Sequence, residues 1–405
     1  MTIAVNSGHG VNKEIIKLQI HSGFHSSVGA RFGDASYMYS DASHVKESAR
    51  QGIIPVDCEQ LLRQDSESPR ERNLKVEGLG KMVESKRVTI CVGDVHGHLD
   101  QLRNLWRNLE LKLGLEAFRS ATVIFLGDYN DRGPDTKGVL EFLVSLPELY
   151  PEQRHVFLCG NHDFAFAAFL GVLPAPPGSH IEYSSTWEEF QPNEEREGWW
   201  AGPGQEGIHL QGRRWAGRMK NQYNTKRGEP YKCSIYDAST TFESYGVAHG
   251  DREGLIAAVP EKHKEFLRNL VWIHEQEGEE TEDPETSYTK LIAVHAGLES
   301  KSVDHQMQML KLKDSKLPRI EPLAGRRNVW NTPPDLAAQK VLVVSGHHGK
   351  LHFESNRLII DESGGFDDRP IAAMILPARE LVRDTDSLLE SKSQEPRPQP
   401  VLVAH

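Results

Sequence analysis

Five short apolar segments of the chain are each followed directly by a polar, glycine-containing loop. These loops are residues 93–97 (Gly-Asp-Val-His-Gly), 127–133 (Gly-Asp-Tyr-Asn-Asp-Arg-Gly), 160–163 (Gly-Asn-His-Asp), 294–297 (Val-His-Ala-Gly) and 345–349 (Ser-Gly-His-His-Gly). Leucines at helical spacing lie between the first three segments, so strands and helices alternate there. This alternation predicts an α/β fold with neighbouring parallel strands, and the carboxyl ends of such strands meet in one crevice.

The apolar segments and the spacing of leucines set the expected element boundaries. The predicted strands are residues 88–92, 121–126, 155–158, 291–294, 341–344, 358–360 and 371–376. We expect a helix from about His98, a second helix that ends at Pro147, and a third that begins at Phe164. The second boundary rests on proline, which lacks the N–H group that continues a helix.

The side chains in the five loops are those that a pair of metal ions requires. Imidazole nitrogens suit Zn or Fe, whereas carboxylate and amide oxygens suit harder ions such as Mn. Two ions about 3.5–4 Å apart share a bridging carboxylate, activate a water molecule and clamp the oxygens of a phosphate ester. Glycine permits the sharp turns that aim side chains at such ions. The loops therefore predict a site for two divalent or trivalent ions, Mn, Fe or Zn.

Composition argues against several other classes of protein. The net charge of −11 argues against a nucleic-acid-binding surface, and no apolar run approaches the roughly 20 residues of a membrane span. The cysteines form no C-x-x-C pair, and none begins the C-x5-R segment of a cysteine-based phosphatase; they are Cys58, Cys91, Cys159 and Cys233. This cysteine usage, with no signal peptide at Met1, predicts the cytoplasm, and also the nucleus, as the location.

The chain divides into three regions by composition. Residues 1–81 are polar and weakly periodic, which predicts a poorly ordered extension. Residues 82–382 hold all five loops and form the predicted catalytic domain, in which about 174–289 is an insertion rich in Pro, Gly and Trp. The tail 383–405, rich in Ser, Pro, Glu and Gln, is expected to be disordered.

The first three loops match a known arrangement, Gly-Asp-x-His-Gly, Gly-Asp-x-x-Asp-Arg-Gly and Gly-Asn-His-Asp. They resemble the metallophosphoesterases of the calcineurin-like, phosphoprotein-phosphatase type. The runs 125–133, 210–217 (Leu-Gln-Gly-Arg-Arg-Trp-Ala-Gly) and 344–351 (Val-Ser-Gly-His-His-Gly-Lys-Leu) are most similar to the plant Rhizobiales-like protein phosphatases. The resemblance implies a calcineurin-like fold, with a central β-sandwich flanked by helices and the insertion over the active site.

The resemblance also implies a set of metal ligands. These are Asp94, His96, Asp128, Asn161, His295 and His347. Asp128 would bridge the two ions. His347 is preferred to His348 because the ligand of the family follows the glycine directly, and Asp163 is expected to cap a helix instead of binding metal.

Three further residues receive catalytic or phosphate-binding roles from the same resemblance. His162 would protonate the leaving oxygen while Asp131 holds its ring, and Arg132 would bind phosphate oxygens with help from Asn161. The chain departs from typical Ser/Thr phosphatases, because the second phosphate-binding arginine of those enzymes has no clear match. Arg213 or Arg214 in the insertion is the candidate replacement; a solvated basic face is the alternative.

The substrate follows from the resemblance and not from spacing. The Rhizobiales-like group implies a phosphorylated protein partner and phosphotyrosine, whereas composition predicts neither nucleic acid nor membrane as a partner. A phosphoserine or phosphothreonine phosphatase, a bis-nucleoside polyphosphate hydrolase and an inactive binding module are the alternatives. The intact set of candidate ligands argues against the inactive module. The oligomeric state, the individual target protein and the choice among the three metals are left open by the sequence.

Overall fold

The computed structural model describes residues 87–174, 183–225 and 227–387, and the structural statements below refer to these ranges. The predicted extension 1–81 lies outside them, as does the predicted tail 383–405 beyond residue 387. The strands are β1 (Thr89–Val92), β2 (Thr122–Phe125), β3 (Arg154–Phe157), β4 (Tyr223–Asn224), β5 (Glu229–Pro230), β6 (His274–Glu279), β7 (Tyr288–Ala293), β8 (Val341–Ser345), β9 (Leu351–Glu354), β10 (Arg357–Ile360), β11 (Ala372–Leu376) and β12 (Glu380–Arg383).

The helices lie mostly between the strands of the first sheet and in the insertion. They are α1 (Leu99–Leu113), α2 (Leu115–Arg119), α3 (Thr136–Leu149), α4 (Asn161–Leu170), α5 (Gln191–Glu197), α6 (Leu210–Trp215), α7 (Ser239–Ser244), α8 (Arg252–Ala258), α9 (Glu261–Asn269), α10 (Val303–Lys311), α11 (Glu321–Ala324) and α12 (Pro334–Ala338). In the described part of the chain, none of them has the length and apolar character needed to cross a membrane.

Two five-stranded sheets form the centre of the molecule. The first has the order β12-β11-β1-β2-β3, with β1, β2 and β3 parallel and β11 antiparallel to β1. The second has the order β6-β7-β8-β10-β9, with β7, β8 and β10 parallel. The parallel strands at the heart of each sheet place five loops at carboxyl ends, as the sequence predicted.

The two sheets pack face to face, because alternate side chains along a strand belong to different buried clusters. In β1, Cys91 packs with Leu342 and Val344 of β8 in one buried cluster, whereas Ile90 and Val92 belong to the cluster formed with the helices. Alternate side chains of a strand point to opposite faces, so one face of β1 meets the second sheet. This arrangement confirms the predicted β-sandwich flanked by helices.

Of the five described strands that the sequence did not predict, β4 and β5 form a separate two-stranded sheet, and the other three lie at the edges of the large sheets. β6, β9 and β12 are all edge strands, and their residues are largely half-buried or exposed. An edge strand has one solvated side and needs no apolar run, so the hydrophobic pattern that revealed the central strands is missing from these three.

Two predicted helix boundaries were wrong. α3 passes through Pro147 and ends at Leu149, because the proline lies in the last turn and the Tyr150 N–H still donates to the Leu146 carbonyl at 2.8 Å. α4 begins at Asn161 and not at Phe164. The segment 160–163 therefore includes the first turn of this helix. The helix fixes the directions in which the side chains of His162 and Asp163 point.

A buried arginine at the start of β10 ties several segments together. Arg357 is 1% exposed and donates to the carbonyls of Trp330 (2.9 Å) and Ala296 (3.2 Å) and to the Ser345 hydroxyl (2.8 Å). Burial lowers its pKa to about 9, so the guanidinium remains charged at neutral pH. Arg357 thus fastens the loop after β7 to the end of β8.

Replacing this arginine should destabilise the fold. Arg357→Met keeps most of the side-chain volume but removes every donor, and buried carbonyls left without partners cost about 1–3 kcal/mol each. We expect the free energy of unfolding to fall by about 2–3 kcal/mol in urea denaturation. Arg107→Met, at an exposed position of α1, is the matched control and should change it by less than about 0.5 kcal/mol.

Candidate metal centre

The loops after β1, β2, β3, β7 and β8 place their polar side chains in one cluster. The side chains are those of Asp94, His96, Asp128, Asn161, His162, His295 and His347. Every one except Asn161 is at most 5% exposed. The structure therefore brings together all six predicted metal ligands and the predicted acid, with contributions from both sheets.

The carboxylate of Asp128 lies at the middle of this cluster. Its Oδ2 atom is 3.6 Å from His96 Nε2 and 3.3 Å from His295 Nε2. The Asp94 Oδ2 atom lies 3.9 Å from the same Nε2 atom of His96. One oxygen of Asp128 thus faces imidazoles that come from different sheets.

Two groups of candidate ligands share Asp128. One is Asp128 with His96 and His162, the other Asp128 with His295 and His347, and within each group the ligand atoms lie within 4.8 Å of one another. A carboxylate common to two such groups has the placement that a bridging ligand needs. The first group contains His162, the predicted acid, and does not contain Asp94, one of the predicted ligands.

Buried atoms without partners test whether this cluster suits metal ions. Within the described residues, Asn161 Oδ1, His295 Nε2 and both ring nitrogens of His347 are buried and make no hydrogen bond. Buried polar atoms are nearly always satisfied, and an unpaired one calls for a bound water or ion as its explanation. Amide oxygen and imidazole nitrogen are metal ligands, so the residues present fit a bound cation.

The other nitrogen of two rings is anchored by the backbone. His96 Nδ1 lies 3.0 Å from the Asn130 carbonyl oxygen, and His295 Nδ1 lies 2.7 Å from that of Leu126. A carbonyl only accepts, so each Nδ1 carries the proton and donates it. In the neutral ring Nε2 then carries the lone pair and faces the cluster, which is how a metal-binding histidine is normally held.

The charges of this cluster are unbalanced without a cation. Burial, followed by the charges of Asp361 and Asp128, raises the pKa of Asp94 well above its ordinary value. Burial and then the charge of Arg132 lower the pKa of His96 well below its ordinary value. A carboxyl group crowded by other carboxylates and a His96 ring kept neutral together favour a positive ion between them.

Several residues of the cluster adopt left-handed backbone conformations. The φ angles are 46° at His96, 53° at Asp128, 71° at Asp131, 67° at Arg132 and 70° at His347. Positive φ angles are uncommon in residues other than glycine, and they occur most often at functional sites, where the surrounding structure holds the backbone in this conformation.

Two loop glycines are required by space. A Cβ atom at Gly160 would lie 2.1 Å from Asp128 Oδ1, and one at Gly346 would lie 2.0 Å from Asp94 Oδ1. The sequence indicated sharp turns as the reason for the loop glycines, whereas at these two positions the close approach of a carboxylate is the reason.

Asp163 acts as a cap, as predicted. Its carboxylate accepts hydrogen bonds from the backbone N–H groups of Asp128 (2.7 Å), Gly160 (2.7 Å) and Tyr129 (2.9 Å). It therefore stabilises the first turn of α4 and fastens the loop after β2 to the loop after β3.

The predicted acid and its partner form a buried pair next to an arginine. His162 Nδ1 lies 2.7 Å from Asp131 Oδ2. On the other side of the ring, His162 Nε2 accepts from Arg132 Nη2 at 3.0 Å, and Arg132 Nη1 donates to His96 Nε2 at 2.6 Å. A guanidinium cation thus contacts two imidazoles of the first ligand group, which again shows that this place attracts positive charge.

Residues 88–372 match the family model of the calcineurin-like phosphoesterases. The chain belongs to this family. The Serine/threonine-protein phosphatase with EF-hands 2 of Mus musculus is 40% identical over 79 residues, which are 20% of this chain and 10% of that protein. The human protein of the same name is 35% identical over 79 residues, with the same coverage. The chain therefore spans about a tenth of the length of these curated relatives.

Solved structures with a similar course of the chain include two phosphatases. The cold-active protein-tyrosine phosphatase of a psychrophilic Shewanella is 14% identical with a TM-score of 0.40, over 73% of this chain and 77% of that one. A protein serine/threonine phosphatase from Saccharomyces cerevisiae is 14% identical with a TM-score of 0.35, over 71% and 72% of the two chains.

One predicted residue of this phosphoesterase does not reach the site. Arg213 is 4% exposed; its guanidinium donates to Glu194 at 2.9 Å and lies 4.1 Å from the centre of the Trp187 ring. The prediction that it faces the ligand is wrong, because packing within the insertion holds the side chain. Arg214 does reach a cavity of about 210 Å³ beside the site, with its charge balanced by Glu197 at 2.6 Å.

A different arginine, which sequence reasoning missed, reaches the ligand groups. Arg326 lines the same cavity as Arg132, His162 and His347, and its Nη1 donates to the His347 carbonyl. Burial and then the charge of Arg132 lower its pKa, which would favour an anion between the two arginines. No motif marks position 326, since it follows a short helix and not a strand.

The two adjacent histidines after β8 offer a matched test of the ligand set. His347 belongs to the second ligand group, whereas His348 Nε2 bonds the Ala296 carbonyl at 2.8 Å. Because an ion held by three or four ligands depends on each of them, His347→Ala should lower the affinity for Mn²⁺ at one of two sites by about 10-fold or more. Isothermal titration of the metal-free protein measures this, and His348→Ala should retain both affinities.

Proposed function

We propose that this protein is a dinuclear, metal-dependent phosphatase that hydrolyses phosphate monoesters of phosphoproteins, with phosphotyrosine as its preferred residue. The observation that carries the proposal is the pair of ligand groups sharing Asp128 beside the His162–Asp131 pair, in a chain of the calcineurin-like phosphoesterase family. The resemblance of residues 125–133 and 344–351 to the plant Rhizobiales-like protein phosphatases supports the choice of substrate.

In this proposal two ions, Mn, Fe or Zn, occupy the ligand groups. Their ligands would be Asp94, His96, Asp128, Asn161, His295 and His347. Bound ions of this kind supply a water that loses its proton near neutral pH, together with Lewis acidity at the phosphoryl oxygens. The mixed set of imidazole, carboxylate and amide donors suits these three metals. The free and buried thiols of Cys91 and Cys159 support a reducing compartment, the cytoplasm or the nucleus.

The protein side chains bind the phosphate and deliver the proton. Arg132 and Arg326 would grip phosphoryl oxygens from two sides, with the amide of Asn161 assisting. His162 would protonate the leaving oxygen through Nε2, because Asp131 holds the Nδ1 side of the ring. Since Arg132 Nη2 lies 3.0 Å from this Nε2 atom, a phosphate bound by Arg132 would present its ester oxygen to His162.

The wall of the cavity supports an aromatic leaving group. Tyr236 lines it, and its ring meets that of His162 edge to face, with centroids 5.0 Å apart. An edge-to-face neighbour is a favourable partner for the phenyl ring of phosphotyrosine. Phosphoserine or phosphothreonine is the second candidate, favoured by the 79-residue match to a serine/threonine-protein phosphatase, and a bis-nucleoside polyphosphate is the third.

A panel of substrates tests this order of preference. The protein reconstituted with Mn²⁺ should hydrolyse a phosphotyrosyl peptide with a kcat/KM at least 10-fold above that for the phosphoseryl peptide of the same sequence and for diadenosine tetraphosphate. The reason is the aromatic wall, and a difference of about 1.4 kcal/mol corresponds to this factor. Phosphate release measures all three rates, and a preference for either competitor overturns the phosphotyrosine assignment.

The role of His162 predicts how its removal depends on the leaving group. His162→Ala should lower turnover of a phosphotyrosyl peptide by about 10²–10⁴-fold, the usual contribution of a positioned acid. Turnover of p-nitrophenyl phosphate should fall much less, because nitrophenolate leaves without a proton. Steady-state kinetics on both substrates measure the difference, with metal content determined alongside. Equal losses would remove His162 from the role of acid.

A further inference from the structure

The carboxylate of Asp131 is surrounded by donors in addition to His162. Trp215 Nε1 donates to Oδ2 at 2.8 Å and lies 3.1 Å from Oδ1, and the Thr241 hydroxyl donates to Oδ1 at 2.6 Å. The backbone N–H of Asp131 donates to Thr241 Oγ1 at 3.0 Å and is 3.3 Å from Thr136 Oγ1. Both oxygens and the backbone of this residue are therefore held.

The two principal donors come from the segment that the sequence predicted to be an insertion. Trp215 is the last residue of α6 and Thr241 lies in α7. Both are 0% exposed. They are separated from Asp131 by 84 and 110 residues along the chain, so the donor arrangement exists only when the insertion is folded onto the sheet.

The indole of Trp215 has little freedom to move. Its ring is stacked between Phe166 of α4 at 5.0 Å and Phe242 of α7 at 5.0 Å, with interplanar angles of 24° and 26°. α6 packs along α4, the helix whose second residue is His162. Trp215 therefore links the insertion to both members of the His162–Asp131 pair.

A buried carboxylate needs hydrogen bonds for stability, and the direction of these bonds fixes its plane. With His162 as the sole donor, the carboxylate of Asp131 could rotate about its last torsion, which has broad minima. Donors on both oxygens restrict this rotation, and a productive acid must be held within about 0.5 Å and 10–20°. The orientation of the His162 ring then depends on side chains that touch neither metal nor phosphate.

We propose that Trp215 and Thr241 are positioning residues that orient the proton-donating imidazole of His162 through Asp131. The inference rests on the proposed function of His162 and extends it to the insertion. The alternative is a purely structural role, in which the same side chains stabilise the packing of α6 and α7. Loss of a positioning residue should lower the rate mainly for substrates with poor leaving groups. Loss of a packing residue should lower the rates of all substrates alike.

Three variants separate positioning from packing. Trp215→Phe keeps an aromatic ring between Phe166 and Phe242 but removes the N–H donor. Thr241→Val keeps the shape of the side chain and removes the hydroxyl, whereas Thr241→Ser keeps the hydroxyl and serves as the conservative control. Thermal unfolding and metal content of each variant show whether the fold and the ions are retained.

The decisive measurement is kcat/KM for a series of aryl phosphates, from p-nitrophenyl to phenyl phosphate, with the Mn²⁺-loaded protein. Trp215→Phe and Thr241→Val should lose about 10-fold more activity on phenyl phosphate than on p-nitrophenyl phosphate, since only the poorer leaving group needs the proton. Thr241→Ser should follow the wild type. In a His162→Ala background the two substitutions should add no further dependence on the leaving group.

Parallel losses across the series, or an unchanged effect in the His162→Ala background, overturn the inference and leave the proposed phosphatase intact. If the wild type hydrolyses no phosphate monoester, the proposed function itself fails. The geometry can then still be tested by ¹⁵N-edited spectra of the histidine side chains. Loss of a slowly exchanging Nδ1–H signal of His162 in Trp215→Phe or Thr241→Val supports the positioning role. Persistence of this signal in both of these variants contradicts it.

Discussion

The burial of the Asp128 carboxylate between imidazoles from both sheets is the interaction on which the rest of the structure depends. A charge removed from water is tolerated only where opposite charge or hydrogen bonds surround it. Here His295 Nε2 lies 3.3 Å from Asp128 Oδ2. Burial alone would raise the pKa of Asp128, but the combined influence of His295, His162 and His96 outweighs it, so the pKa lies well below its ordinary value. The β-sandwich provides this environment because parallel strands of both sheets end at the same place.

Holding such a cluster requires a rigid backbone, and carboxylates outside the candidate ligand set supply much of that rigidity. Asp163 binds three backbone N–H groups from two loops. Asp361 accepts from the backbone of Gly364 at 2.8 Å and from that of Gly349. Left-handed conformations at His96 and His347 persist because the surrounding hydrogen bonds determine them. The site therefore consists of two layers, an inner one formed by the candidate ligands and an outer one that holds the loops.

The candidate ligands of the inner layer could be predicted from the sequence, whereas most of the groups that hold the loops could not. The difference has a physical reason. Central strands are buried on both faces and read as apolar runs, so Asp94, Asp128 and His347 could be placed at strand ends from the hydrophobic pattern alone. Asp163 could be interpreted as a cap because N-terminal turns have local signatures. Arg213 was placed wrongly and Arg326 was missed because contacts between distant segments, which leave no periodic pattern, decide where these side chains lie.

The donors around Asp131 change how the insertion should be understood. A segment that only covered a preformed site could vary without altering the proton donor, whereas Trp215 and Thr241 bond directly to the partner of His162. The same helix α6 carries Arg214 and Gln211 into the cavity beside the candidate ions. The helix α6 thus contributes both to the lining of the cavity and, through Trp215, to the hydrogen bonds around Asp131. Under the proposed function, a displacement of α6 by a bound substrate would reach the His162 ring through two hydrogen bonds, one between Trp215 and Asp131 and one between Asp131 and His162.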